Sequence, residues 1–192
     1  NKYISIGWNL AASRSNERLI GTEGRDQIVG VSLMVDPREP VYNEDGTWNA
    51  YLGGHDGVWG FPNPVMVLHQ TKNMQNINRI ISNGYAEITF LTDFKFKPSV
   101  NISLLNLRRN DYRPSTLAAT NAPPPRNASM SEWSQETVNY SADMLLTYAK
   151  TIQNHSFDAM LGYTAQEETW KEMYGNGSKF PNDEIRIFQN AE

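Results

Sequence analysis

Five stretches of this chain alternate apolar and polar residues with strict period two, and in none of them does the apolar side carry a charge. The first sets Ile4, Ile6, Trp8 and Leu10 against Ser5, Gly7 and Asn9. The second ends with Gly84, Ala86, Ile88 and Phe90 against Asn83, Tyr85, Glu87 and Thr89. The third opposes Phe94, Phe96, Val100, Ile102 and Leu104 to Lys95, Lys97, Ser99, Asn101 and Ser103. The fourth opposes Val138, Tyr140, Ala142, Met144, Leu146 and Tyr148 to Thr137, Asn139, Ser141, Asp143 and Thr147. The fifth opposes Phe157, Ala159, Leu161, Tyr163 and Ala165 to Ser156, Asp158, Gly162, Thr164 and Gln166. Successive side chains of a strand point to opposite faces, so the pattern predicts five strands, each with an uncharged face and a polar reverse. Their expected places are near 2–13, 77–91, 94–110, 134–150 and 155–170.

Strand length narrows the choice of fold. Ordinary strands run roughly five or six residues, whereas a strand that crosses a bilayer needs about 9–11. The connections are lopsided as well. A tight turn near Leu91-Thr92-Asp93 joins the second and third strands, and Thr151 to Asn154 joins the fourth and fifth. The segments 14–76, 111–133 and 171–192 are long and rich in turn residues. Short turns at one end and long loops at the other is the layout of outer-membrane barrels, with the long loops outside the cell. The expected fold is therefore all-β: an antiparallel meander of about five long strands, part of a large transmembrane β-barrel with long extracellular loops. The alternative is a soluble β-sandwich, whose strands alternate in the same way but turn their apolar faces against a second sheet.

Aromatic placement agrees with two membrane interfaces. Trp133 and Trp170 fall at the expected long-loop ends, and Phe90, Phe94 and Tyr148 near the tight turns. Such rings satisfy an apolar body and a polar tip at a lipid–water boundary, though aromatics also favour strands in general. Pro98 has no N–H to donate and predicts a bulge or a missing ladder bond in the third strand.

Composition excludes several functions. With 17 Lys and Arg against 21 Asp and Glu, the net charge of −4 has the wrong sign for a nucleic-acid-binding footprint. The chain holds 0 cysteines, so it has no disulfide framework, cysteine nucleophile or cysteine-type zinc site. The longest apolar run is the four residues Val65 to Leu68, far short of the roughly 20 that a spanning helix needs. The start Asn1-Lys2-Tyr3-Ile4 shows no signal peptide or lipidation motif and enters the alternating pattern at once, as expected of a piece of a longer protein.

No catalytic constellation emerges. His55, His69 and His155 are scattered without a second ligand at helical spacing, so no metal or cofactor is expected. Asn43-Glu44-Asp45-Gly46 resembles part of a calcium loop, but Val41 at the first ligand position cannot coordinate, and the segment reads as a turn. Asp143 and Asp158 are placed as near neighbours on the polar face of the last two strands, where two solvated charges are a simpler reading than a glycosidase pair. Binding candidates lie in the loops: Trp48, Tyr51, Trp59, Phe61 and Tyr112 offer flat rings, with Arg108 and Arg109 close in sequence and Arg113 beside them. Rings cover the apolar face of a sugar, and guanidinium groups fork onto hydroxyls or carboxylates. The same residues also serve to staple long loops together, and the sequence leaves both roles open.

Several phrases resemble a known family. They are Pro40-Val41-Tyr42-Asn43-Glu44-Asp45-Gly46-Thr47-Trp48; Asn63-Pro64-Val65; Asn78 to Glu87; Leu91 to Lys97; Tyr112-Arg113-Pro114-Ser115; His155 to Glu167; and Phe180-Pro181-Asn182-Asp183. In order and spacing, over nearly the whole chain, the set resembles the barrel of SusC/RagA-type TonB-linked outer-membrane transporters. The resemblance implies a barrel of roughly 22 strands with a plugged lumen. It implies import of oligosaccharides or peptides across the outer membrane of Bacteroidota-like bacteria, a SusD-like surface lipoprotein as lid, and TonB pulling on the plug. It implies no enzyme activity. Residues 1–192 hold no counterpart of the plug, the TonB box or a barrel-closing strand. The expected partners are therefore the rest of the barrel with its plug, the lipid bilayer, the lipoprotein, TonB through the plug, and the nutrient. A soluble β-rich glycan-binding module is the rival, and a single continuous antiparallel sheet is the observation that separates the two.

Overall fold

A computed structural model describes residues 3–21, 27–55, 57–184 and 186–191. Five long strands form one sheet: β1 (Ile4–Arg18), β4 (Lys72–Phe90), β5 (Phe94–Arg113), β6 (Ser129–Ile152) and β7 (His155–Ser178), in the order β1-β4-β5-β6-β7. Pairing is antiparallel. Thr89 N–H donates to the Tyr3 carbonyl and Leu19 N–H to the Asn73 carbonyl, which fixes the register of β1 on β4 at both ends. Between β1 and β4 lie α1 (Ile28–Met34), the two-residue strands β2 (Tyr51–Leu52) and β3 (Phe61–Pro62), and α2 (Pro64–Gln70). Among the described residues no helix is long and apolar enough to cross a membrane.

Both tight turns fall where expected. Leu91 and Thr92 adopt φ of 47° and 57° between β4 and β5, and Gln153 adopts 54° between β6 and β7. Such left-handed angles are those of tight hairpin turns, here three residues long between β4 and β5 and two between β6 and β7. The strands are longer than the alternation indicated, mostly at the long-loop ends; β6 also runs two residues further toward its tight turn. Asp143 and Asp158 are not neighbours. Thr151 meets Ser156, Asp143 meets Thr164 and Asn139 meets Glu168 across the β6–β7 hairpin. Asp158 therefore lies opposite residue 149, about 20 Å along the strand from Asp143 at ~3.4 Å per residue. Pro98 is accommodated within a continuous β5.

The chain divides into two compact units. Unit 1 comprises 1–15, 77–107 and 134–172; unit 2 comprises 16–76, 108–133 and 173–192. In unit 1 no described residue is buried. Its apolar stripes stand in the open on inner strands as well as at the edges: Val100 on β5 is 53% exposed and Tyr140 on β6 is 48% exposed. A sandwich would bury one face of each strand against a second sheet, so the sandwich expectation does not hold for this sheet.

Side chains in unit 1 pair with their own kind across the strands. On the polar face Asn83 donates to Asn101, and Asn101 donates to Ser141 Oγ and Asp143 Oδ2, each at 3.0 Å. Thr164 donates to Asp143 Oδ1 at 2.9 Å, completing a polar seam across four adjacent strands. Beside it Lys95 faces Glu87 at 3.7 Å, and the Lys97 ammonium sits 4.9 Å above the Tyr85 ring. On the apolar face Phe90 stacks on Phe94 at 5.5 Å, and Phe94 meets Tyr148 at 4.7 Å, forming an aromatic row beside the tight turns. The Trp8 indole N–H, on this face, finds the Ser82 hydroxyl at 2.8 Å. Cross-strand pairs of these kinds are each worth up to about 1 kcal/mol.

Gly7 is required by its neighbour. A Cβ there would lie 2.3 Å from Tyr85 Cζ, so the tyrosine ring lies over β1 because residue 7 has no side chain. We predict that Gly7→Val displaces the ring from beneath Lys97 and destabilises the fold by about 1–3 kcal/mol. Combining it with Tyr85→Ala should recover most of that loss. Heat-dependent mobility of the detergent-solubilised protein is the readout, and additive losses in the double variant would contradict the proposed contact.

Candidate functional site

Unit 2 is held by polar side chains with several partners each as much as by its apolar core. Asn63 is 1% exposed and meets all its hydrogen-bonding capacity. Its amide nitrogen donates to the carbonyls of Val41 and Asn49, both at 2.9 Å. Its oxygen accepts from the backbone N–H of Val65 at 3.0 Å and Met66 at 3.3 Å, capping α2, with Pro64 preset at the first helical position. One side chain therefore joins the Asn63-Pro64-Val65 phrase to the Pro40 to Trp48 phrase, through Val41, and to Asn49 just beyond it. At the other end of α2, Arg18 donates to the Leu68 carbonyl and, at 3.2 Å, to that of Thr71. Val31 of α1 and Met66 of α2 are buried where the two helices pack.

A second staple centres on Asp183. Its Oδ1 accepts from the Tyr112 hydroxyl and the Ser115 N–H, both at 2.8 Å, and its Oδ2 accepts from the Ser115 hydroxyl at 2.8 Å. Arg186 donates through Nε to the Asp183 carbonyl at 2.8 Å and lays its guanidinium 4.1 Å over the Tyr112 ring. Tyr112, Ala128, Met130 and Phe180 form the core beneath, joined by Phe188 and Ala191. The phrases Tyr112 to Ser115 and Phe180 to Asp183, far apart in sequence, meet here. Burial works against the Asp183 charge, but Ser115, Tyr112 and Arg186 outweigh it and hold the carboxyl below its ordinary range. Burial first, and then the Asp183 hydrogen bond, push the Tyr112 phenol up to about 12.

The seven loop candidates take different places. Trp48 packs on Tyr42 at 4.6 Å and on His69 at 5.5 Å. Tyr51 pairs with Pro62 across β2 and β3 and lies over Gly54 and Gly60, whose missing side chains leave room for its ring. Phe61 is buried at 6% exposure and Tyr112 at 2%, so protein already covers their rings. Trp59 is half exposed, and Arg108 is exposed. Arg109 lies 2.7 Å from Asp111 through Nε and Oδ2. These residues do not converge on one point.

A cavity of about 570 Å³ does gather polar groups within unit 2. Tyr112 is the one loop candidate that reaches its wall, which also includes Asn73, Asp111, Arg113, Ser131 and Asn176. Arg113 is largely desolvated, and this burial, with Arg126 adding like charge, pulls its pKa down. Its Nη2 donates to the Ala118 carbonyl. The volume and mixed lining suit a small ligand of a few residues or sugar units. Among the described residues no group of three His, Cys, Asp or Glu is placed to hold a metal ion. Asn63 and Asp183 escaped the sequence reading. An asparagine directly before a proline that opens an apolar run is a helix-start signal that points to the first. The Asp183 contacts span about 70 residues of chain and leave no local signal.

No family model matches the chain, and no curated protein matches it. Solved structures do. The RagAB peptide transporter matches with a TM-score of 0.80 at 16% identity, over 100% of this chain and 22% of that one. The RagAB peptide importer matches in its open-open and closed-closed states, each with a TM-score of 0.79 at 16% identity, over 100% of this chain and 21% of that one. The chain thus has the fold of part of these structures, an antiparallel sheet of long strands. It spans about a fifth of the solved chains it matches.

Two predictions follow from the staples. Asn63→Ala removes a cap and two donors to buried carbonyls, and should cost about 3 kcal/mol. Asn63→Ser keeps a capping oxygen and should recover the cap's share, losing the donors to the two carbonyls. Hydrogen exchange should rise at 41–49 and 63–70 and stay unchanged in the strands of unit 1. The folded pKa of Asp183 lies below its unfolded value. Its contribution to stability is therefore complete above the ordinary carboxyl pKa of about 4, and fades as pH falls through the lower folded value. Exchange protection at 112–117 and 180–184 should drop below about pH 4, and Asp183→Asn should flatten that dependence.

Proposed function

We propose that this chain is part of the wall, with its extracellular loops, of a TonB-dependent outer-membrane nutrient importer of the SusC/RagA type. The observation that carries the reading is the sheet of unit 1: apolar stripes left in the open on every strand, with a polar seam on the reverse. Hydrocarbon is the environment that suits the first face and a watery lumen the second, and only a closed barrel satisfies all strand backbones in lipid. The fold match to RagAB structures and the ordered phrases support the same class. On this reading residues 1–192 form one segment of the barrel, the plug lies elsewhere in the protein, and α1, α2, β2 and β3 belong to an ordered extracellular loop. The cargo is a peptide or an oligosaccharide, taken up with a SusD-like lipoprotein and released through TonB. Trp59 and Arg108, the exposed members of the loop set, are proposed contacts for cargo or for that partner. No observation favours the soluble glycan-binding module over this reading.

The test sets the two faces of β7 against each other. Leu161→Arg puts a charge on the apolar stripe and should cost about 2–4 kcal/mol near the bilayer midplane. Thr164→Arg, on the polar face beside Asp143, should be tolerated. Heat-modifiable protein in the outer-membrane fraction is the measure, together with a co-purifying lipoprotein. Recovery in the soluble periplasmic fraction, or equal loss from the two substitutions, would sink the proposal.

A further inference from the structure

We infer that the cavity of unit 2 binds the carboxylate of a ligand, and that Arg113 receives it. The inference rests on the transporter reading for the size and type of ligand, and on the charges of the cavity for the site itself.

The charged side chains of the wall are Asp111 and Arg113. A guanidinium carries a permanent charge and five N–H donors. Arg113 has one carbonyl partner, Ala118, and among the described residues no carboxylate is paired with it. Arg126, near enough to act on it, is a second cation. The acid two residues earlier is already engaged, because Asp111 Oδ2 lies 2.7 Å from Nε of Arg109. Arg109 lies outside the lining, and with Asp111 held by it, Arg113 is the charge of the wall left without a counter-ion. A desolvated cation without an anion is unfavourable, and its usual resolution is a carboxylate or phosphate that forks onto it. Asn73, Gln27, Ser131 and Asn176 line the same space with neutral donors and acceptors. Such groups suit peptide amides or sugar hydroxyls. About 570 Å³ holds a terminal residue or an acidic sugar with one or two neighbours. A peptide C-terminus and a uronic acid share the required group, and the probes separate them.

The protein carrying this chain, purified in detergent without its partners, is titrated with four probes: tetra-alanine as free acid, tetra-alanine as C-terminal amide, trigalacturonate, and its methyl ester. At least one acid should bind about ten-fold or more tightly than its neutral counterpart. Which pair shows the preference identifies the source of the carboxylate. Arg113→Gln should abolish the preference and Arg113→Lys should keep part of it, with heat-modifiable mobility confirming that each variant is folded. The acid preference of the unaltered protein, and its weakening by salt, test the site even if neither variant folds. Equal binding of acid and neutral probes, no binding of either acid, or a preference that survives Arg113→Gln in a folded variant would each overturn the inference. A water-soluble protein that still prefers the acid through Arg113 would overturn the transporter reading and leave this one standing.

Discussion

A backbone that pairs only with neighbouring strands, and side chains that gain nothing from a core, set the terms for unit 1. Its strands bury no described residue. Soluble sheets are stabilised by the apolar area they remove from water, and this one removes little of its own. What holds it is the ladder, the aromatic row at Phe90, Phe94 and Tyr148, and the seam from Asn83 to Thr164. Stability of that kind depends on an environment supplied from outside the sheet. In water the stripes through Ile6, Val100 and Leu161 are a liability, and β1 and β7 each present an unpaired edge. In the proposed barrel both difficulties disappear together, since lipid covers the stripes and further strands cover the edges.

Unit 2 works in the opposite way. Its segments have little periodicity and many turn residues, so hydrophobic patterning cannot specify their path. Specification comes from polar groups with several partners each, one buried and one part-buried. Asn63 binds four backbone groups on two segments, and Asp183 collects Tyr112, Ser115 and Arg186. Removing any partner of such a group leaves a desolvated donor or acceptor, which costs more than the bond was worth. Four of the seven phrases that resemble the transporter family meet at these staples. The presence of those four in order along the chain therefore reflects the geometry of the loops.

The legibility of the sequence divides along the same line. Alternation located five strands, both turns and the polar and apolar faces, because period two is a direct consequence of the pleat. It did not locate the long-loop ends of the strands. The expected ends near 13, 77, 110, 134 and 170 fall within a few residues of the boundaries between the units, at 15, 77, 107, 134 and 172, while the strands themselves continue to 18, 72, 113, 129 and 178. The pattern reads environment and not backbone conformation: where the two faces of a strand stop differing in surroundings, alternation stops although pairing persists. Trp133 and Trp170 lie at that change and not at the strand termini, as rings at a lipid–water boundary would.

The same reasoning explains why the candidate site was only partly visible. Aromatic and arginine content singled out the right loops, and Tyr112 does reach the cavity, but composition does not reveal which rings are already covered. Arg113 stood in the sequence beside Arg108 and Arg109 as one of three similar cations. Local charge spacing cannot tell them apart. Tertiary placement does: Arg109 is neutralised by Asp111, Arg108 is hydrated at the surface, and Arg113 is desolvated with Arg126 as its charged neighbour. A charge that the fold desolvates without neutralising is the kind of local imbalance that binding can relieve. That imbalance, more than the exposure of any ring, is the property of these loops that favours one chemical class of ligand over another.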